Sequence, residues 1–401
     1  MPAILSENLD MGAFFMREKL KQFYIVLLVF ILTIMGQYGH VLQTEAVFST
    51  QKETVSAKSQ TGKRLTGQKS EEKVYASGIP IGIYIKTEGI LVLGLQQIDG
   101  KNSPASCKIK AGDYILKLNA QNITTKQQFI RLLQKNGEKE VVLTLKRKNK
   151  KIKVKVQPVY SAKNKCYQIG VWIRNDTQGI GTITFIREDG TFAALGHGIN
   201  DGDIGVRFLI EGGSAYRTNI SSILKGKSGM PGEIIGTIDY SPQNYLGEIY
   251  ANTNGGILGK ITENKKEFFT GKKISIAKKS EVKTGKAYLR SSISGKSKDY
   301  SIEIEKVFFH EKNSLKTLKI RVTDSELITL TGGIIQGLSG SPILQNGKLV
   351  GAVTHVLIDN PQMGYGILCR KYVRIKKVNF SVRDIAKYKK IIVELVCVMI
   401  L

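Results

Sequence analysis

The sequence predicts a mainly β protein of two folded units behind an N-terminal apolar segment. Three observations carry this reading. From Gly78 onward the apolar residues fall in short patches broken by glycine-rich turns, and only the stretch 125–134 repeats at helical spacing. The segment 332–356, GGIIQGLSGSPILQNGKLVGAVTHV, frames a serine with glycines and continues into two strands joined by Asn346-Gly347. Its 401 residues suffice for two or three domains.

At the N-terminus, Arg17, Lys19 and Lys21 precede the apolar run 23–35, and no Lys or Arg follows until Lys52. That asymmetry sets residues 1–22 in the cytoplasm and makes 23–42 a signal or anchor segment, so the chain is expected to be membrane-tethered or secreted. Residues 43–73 are polar, rich in Ser, Thr, Lys and Gln, and read as a flexible linker. A net charge of +27 suits an anionic partner such as a membrane surface. Nucleic acid is excluded, because the lysines are scattered without zinc-finger spacing, RNA-binding aromatics or basic-zipper heptads. The four cysteines stand alone, which indicates neither a structural zinc site nor a disulfide framework. No metal or cofactor is expected.

The first folded unit is placed at 74–158. Strands are expected at 81–85, 90–93 and 141–145, with a helix over 125–134 that buries Phe129, Ile130, Leu132 and Leu133. Between them stand Asn102-Ser103-Pro104-Ala105 and Ala111-Gly112-Asp113-Tyr114-Ile115, followed by Asn119-Ala120-Gln121. These landmarks resemble a bacterial PDZ domain, although Asn-Ala-Gln departs from the usual Asn-Gly turn. The resemblance implies a groove at Gly89, Ile90, Leu91 and Val92 that takes an extended peptide as an added strand, either a partner's tail or the chain's own. Lysines alternating with apolar residues over 146–156 suit a half-buried strand whose charged face protects a sheet edge.

The second unit, 159–368, is a run of short strands that reads as an all-β barrel or sandwich. His197 ends an apolar strand on a glycine-rich loop, Asp324 ends an alternating strand, and Ser339 lies in Gly337-Leu338-Ser339-Gly340-Ser341-Pro342. Taken alone, that loop fits a Gly/Ser turn as well as a nucleophile beside an oxyanion hole. Ser341 competes as nucleophile, and Asp201 and Asp203 compete with Asp324. His355 reads as a core or surface histidine.

His, Asp, Ser in that order on a β-rich unit is the order of the chymotrypsin-like double barrel. More specifically, GIGTITF, ALGHGI, KGxxGxPGE and the 332–356 motif, behind a PDZ unit and a membrane segment, resemble the stage IV sporulation protein B peptidase family. The resemblance implies that Ser339 attacks a peptide carbonyl, His197 carries the proton and Asp324 holds the imidazole. The main-chain N–H groups of Gly337 and Ser339 would form the oxyanion hole. It further implies an exported, self-processing peptidase in the space between forespore and mother cell. Such an enzyme cuts a regulator in the opposing membrane and thereby releases an intramembrane metalloprotease that activates a late sigma factor. The rival expectation is a non-catalytic PDZ scaffold with a degenerate peptidase domain. Beyond Ile367 the family pattern stops, so 369–401 is expected to be a divergent tail or the product of a frameshift.

Overall fold

The computed structural model describes residues 72–262, 266–269, 271–309 and 315–369. The expected export segment, nearly all of the linker, His40, His310 and residues 370–401 lie outside the described residues. No described helix is long and apolar enough to cross a membrane.

Two closed rings of six strands carry the fold. The first runs Pro80–Leu95, Val171–Ile186, Thr191–Ala194, Gly256–Ile261, Tyr245–Thr253 and Ile210–Tyr216, and closes where Ile210–Tyr216 pairs with Pro80–Leu95. Alternation explains its interior: Ile81, Ile83 and Ile85 point inward from one strand and meet Ile183, Phe192 and Leu246, all buried. The second ring runs Gly285–Ser291, Lys298–Val307, Leu318–Val322, Asn360–Leu368, Lys348–Leu357 and Pro342–Gln345. Its core holds Leu289, Tyr300, Ile302, Ile320 and Val353. Asn346 and Gly347 both take positive φ, 52° and 70°, so the expected hairpin turn has the twist that antiparallel strands favour.

The boundary expected at residues 158/159 is corrected. Strand Pro80–Leu95 pairs with Val171–Ile186 along nearly its whole length, from Pro80↔Thr182 to Leu95↔Val171. One end of this ribbon belongs to the first ring, and the other belongs to the PDZ-like sheet with Tyr114–Leu118, Val141–Arg147 and Lys150–Val156. The PDZ unit is therefore inserted into the first barrel between two of its strands. The sequence reading divided the chain at the linear end of the first apolar cluster, whereas the ring needs strands from both sides of it.

Within the inserted unit the helix is Lys126–Asn136, with Thr125 accepting a hydrogen bond from the Gln128 N–H at its start. Phe129 and Leu133 are buried as expected, but Ile130 is 42% exposed. Lys150–Val156 forms the sheet edge with its lysines outward.

Two threonines lock the barrels together at the serine loop. Thr182 donates its N–H to Ser339 O at 3.1 Å and its hydroxyl to Gly337 O at 2.7 Å. Thr184 donates its hydroxyl to Gly340 O at 2.6 Å. Gly340 has φ +97°, and a Cβ there would lie 2.1 Å from Thr182 O, so only glycine fits. From the first barrel a hairpin, Thr218–Leu224 with Glu233–Ile238, reaches the same loop, where Ile234 N donates to Gln336 O at 3.0 Å and Gln336 N donates to Gly232 O at 2.8 Å. Replacing Thr182 with Val keeps the shape and orphans the Gly337 carbonyl; thermal melts are expected to show a loss of about 1–3 kcal/mol. Gly340→Ala is expected to be the more damaging of the two in the same measurement.

Candidate active site

His197 reaches the site through an unusual piece of backbone. Leu195 takes φ +74° and Gly196 φ +70°, a left-handed pair that turns the chain out of strand Thr191–Ala194. A branched apolar residue holds that conformation only when its surroundings impose it. Here Leu195 N donates to Thr182 O at 3.2 Å, and the Leu195 side chain occupies the space that Gly181 leaves open.

Ser339 stands on the opposite barrel, between Gly337 at φ +96° and Gly340 at φ +97°. Its hydroxyl donates to Thr354 O at 3.2 Å. Thr354 also packs against the histidine loop, since a Cβ on Gly196 would meet the Thr354 methyl at 3.0 Å. Thr354 thus touches both the Ser339 hydroxyl and the loop that carries His197. The N–H groups of Gly337 and Ser339 donate to no protein acceptor among the described residues, while the neighbouring Leu338, Gly340 and Ser341 amides all do. Two idle donors beside a serine hydroxyl are what an oxyanion hole requires.

The His197 Nδ1 lies 3.0 Å from Gly198 O. A carbonyl oxygen can only accept, so Nδ1 carries the proton and Nε2 keeps its lone pair for base chemistry. Burial pushes the imidazole below its ordinary pKa, and the Gly198 carbonyl opposes that only in part, so the ring is neutral at physiological pH.

Asp324 lies just beyond strand Leu318–Val322 of the second barrel. Its carboxylate caps the helix Ser325–Thr331, accepting from Leu327 N at 3.1 Å through Oδ1 and from Ser301 N at 3.1 Å through Oδ2. Both oxygens serve the main chain of the second barrel, and no hydrogen bond joins them to the imidazole. The helix was unforeseen, although Asp324 before Ser-Glu-Leu and Gly332-Gly333 after Thr331 are its start and stop signals. Of the competitors, Ser341 is fully buried with no partner for its hydroxyl. The Asp201 side chain is fully buried and ion-paired to Arg174, which also bonds Asp203.

His355, expected as a core or surface histidine, stands beside His197. Its ring centroid lies 5.5 Å from that of His197, and its buried Nδ1 lacks a partner. Burial, with His197 and Lys316 nearby, lowers its pKa to about 4.

The strand expected to line a PDZ groove is a central one. Ile90, Leu91 and Val92 are fully buried, and residues 90–92 pair on both sides, with Tyr114–Leu118 and with Val171–Ile186, so no peptide strand can be added there. No strand pairs with the outer edge of 171–173 among the described residues. That edge and helix Lys126–Asn136 flank a cavity of about 400 Å³ lined by Phe129, Ile130, Leu133, Gly170 and Val171. At its end the Ile169 and Gly170 amides have no protein acceptor among the described residues. The sequence signal was a glycine, Gly170, directly before strand Val171–Ile186.

The sequence profile of the SpoIVB peptidase S55 family matches residues 165–373, a span that holds His197, Asp324 and Ser339. The chain belongs to the SpoIVB peptidase S55 family. It is accordingly a serine peptidase, and the PDZ domain profile matches residues 100–147. No curated protein matched the chain. Among solved structures, the PDZ domain of the SdrC-like protein from Listeria monocytogenes is 19% identical, covering 22% of this chain and 90% of its own, with TM-score 0.20. The Rv3671c protease of M. tuberculosis in its active form is 12% identical, covering 50% of this chain and 72% of its own, with TM-score 0.29. The HtrA-type protease AlgW with decapeptide is 8% identical, covering 74% of this S55 peptidase and 63% of its own chain, with TM-score 0.30.

Two expected outcomes follow from the geometry. Asp324→Ala removes a helix cap and should lower stability by about 0.5–2 kcal/mol, read by denaturant titration. Because the folded pKa of His355 is depressed from 6.5 to about 4, the unfolded chain binds its proton first, and stability falls as pH drops through that window. Thermal melts from pH 7 to 4 are expected to show the decline, which His355→Gln should flatten.

Proposed function

We propose that this S55 peptidase is an endopeptidase in which Ser339 is the nucleophile and His197 the general base. The observation that carries the reading is the pair of unengaged N–H groups at Gly337 and Ser339, on a loop pinned beside the histidine strand. In the described state the Ser339 hydroxyl rests on Thr354 O. Rotation about its Cα–Cβ bond, between staggered wells, turns it toward His197 Nε2. The nucleophile then attacks a carbonyl whose developing charge falls on the two idle amides, each worth about 3 kcal/mol in the transition state. The substrate lies extended along the outer edge of 355–357, which pairs with Asn360–Leu368 on its other side alone.

The physiological role we propose draws on family membership and the predicted export segment. The chain is tethered to the forespore membrane or released from it, processes itself, and cuts a membrane-bound regulator of an intramembrane metalloprotease, activating a late sigma factor. The groove between 171–173 and the helix takes a peptide tail of that partner or of the chain itself.

The full-length protein is expected to react with a serine-directed fluorophosphonate, and Ser339→Ala to abolish the reaction. Labelling that persists in the Ser339→Ala protein would assign the nucleophile elsewhere. In a sporulating host the same substitution should leave the regulator intact, as followed by immunoblot.

A further inference from the structure

The sheet of the inserted unit has one face on the core and one in solvent. Val141, Leu143, Leu145 and Val156 join Phe129 and Leu133 of the helix in the core, and alternation turns their neighbours to the opposite side. There the register sets Lys151 opposite Lys146, Lys153 opposite Thr144 and Lys155 opposite Val142, with Lys117 across from Thr144 on the next strand inward. Tyr114–Leu118, Val141–Arg147 and Lys150–Val156 contain no Asp or Glu. Glu88 reaches Lys146 at 2.6 Å and Glu140 reaches Lys155 at 3.0 Å. Lys117, Lys151 and Lys153 have no acidic partner among the described residues. Like charges set directly opposite each other, as Lys146 and Lys151 are, weaken a strand pair. Guarding the outer edge of Lys150–Val156 accounts for the lysines of that strand, but Lys117 stands two strands in from the edge.

We propose that this lysine face is a docking surface for the anionic headgroups of a phospholipid bilayer, with Lys117, Lys151, Lys153 and Lys155 as its contacts. A flat sheet has no pocket for a single phosphate. Ammonium groups are mobile point charges that suit a diffuse anionic plane, whereas recognition of one carboxylate or phosphate favours the arginine fork. No large apolar side chain is exposed on these three strands, so the face adsorbs to headgroups without inserting. The folded part is expected to hang from an anchor at 23–42 through the linker 43–73, and a bilayer is then the extended anionic surface beside which it works. In the sheet, Lys150–Val156 and the open edge 171–173 lie at opposite ends, so an adsorbed chain keeps its peptide groove uncovered.

The inference does not depend on the nucleophile, so full-length Ser339→Ala protein, which cannot digest itself, serves for the test. The protein is bound to vesicles of phosphatidylcholine with or without phosphatidylglycerol, pulsed with acetic anhydride, and the acetylation of each lysine is read by mass spectrometry. On the anionic vesicles Lys117, Lys151 and Lys153 are expected to react about tenfold more slowly than on phosphatidylcholine alone. The exposed Lys278 and Lys283 of the second unit should keep one rate on both. Raised salt should erase the difference, and adding Lys151→Gln and Lys153→Gln together should remove the protection at Lys117 and Lys155. Equal acetylation on the two kinds of vesicle would overturn the proposal. So would protection shared with Lys278 and Lys283, which marks general attraction of a chain of net charge +27. Protection by soluble polyglutamate with none by anionic vesicles would also overturn it and assign the face to an acidic protein.

Discussion

Thr182 is the residue on which the two barrels meet. Its N–H and hydroxyl hold the Ser339 and Gly337 carbonyls, and its own carbonyl receives Leu195 N, two residues before His197. It is fully buried, so these bonds form in a low-dielectric setting where an unmade partner is costly. The nucleophile loop and the base loop thus take their positions from a single peptide unit and its side chain. The strained Leu195 backbone, the glycine required at 340 and the idle amides at 337 and 339 all follow from satisfying Thr182 first.

Local chemistry made much of this legible in the sequence. The alternating patches at 81–85 and 141–145, the Asn346-Gly347 turn and the helix near Thr125 reproduce propensities that tertiary contacts leave alone. His197 and Ser339 stood out because glycines bracket each, and the structure sets Thr354 against Ser339 and against Gly196, the residue before His197. The misreadings share a cause. Whether an apolar strand such as 90–92 is central or at an edge depends on which strands pair with it from far along the chain, and its composition is the same either way. Asp324 ends an alternating strand, as expected, and its carboxylate also caps a helix start that the strand-by-strand reading overlooked.

The inserted PDZ domain touches the base loop directly. Phe208 packs between Leu91 and Tyr114, the Tyr114 hydroxyl accepts from Leu209 N at 2.9 Å, and Arg174 holds the buried Asp201. The loop that follows His197 is therefore shaped by two domains, with Asn252 on the barrel side and Tyr114 on the PDZ side. Arg174 directly follows the open edge 171–173 along the same strand.

The ribbon formed by Pro80–Leu95 and Val171–Ile186 also sets an order of assembly. The PDZ unit lies wholly between residues 90 and 176, so its contacts are near in sequence and its loops cheap to close. The first ring cannot close until Gly256–Ile261 has been synthesised, and the serine loop has nothing to dock on until then. A PDZ core that forms early would bring residues 86 and 176 side by side, turning a long insertion into a preformed hairpin for the barrel. The domain that recognises peptides would then also act as the folding nucleus of the domain that cuts them.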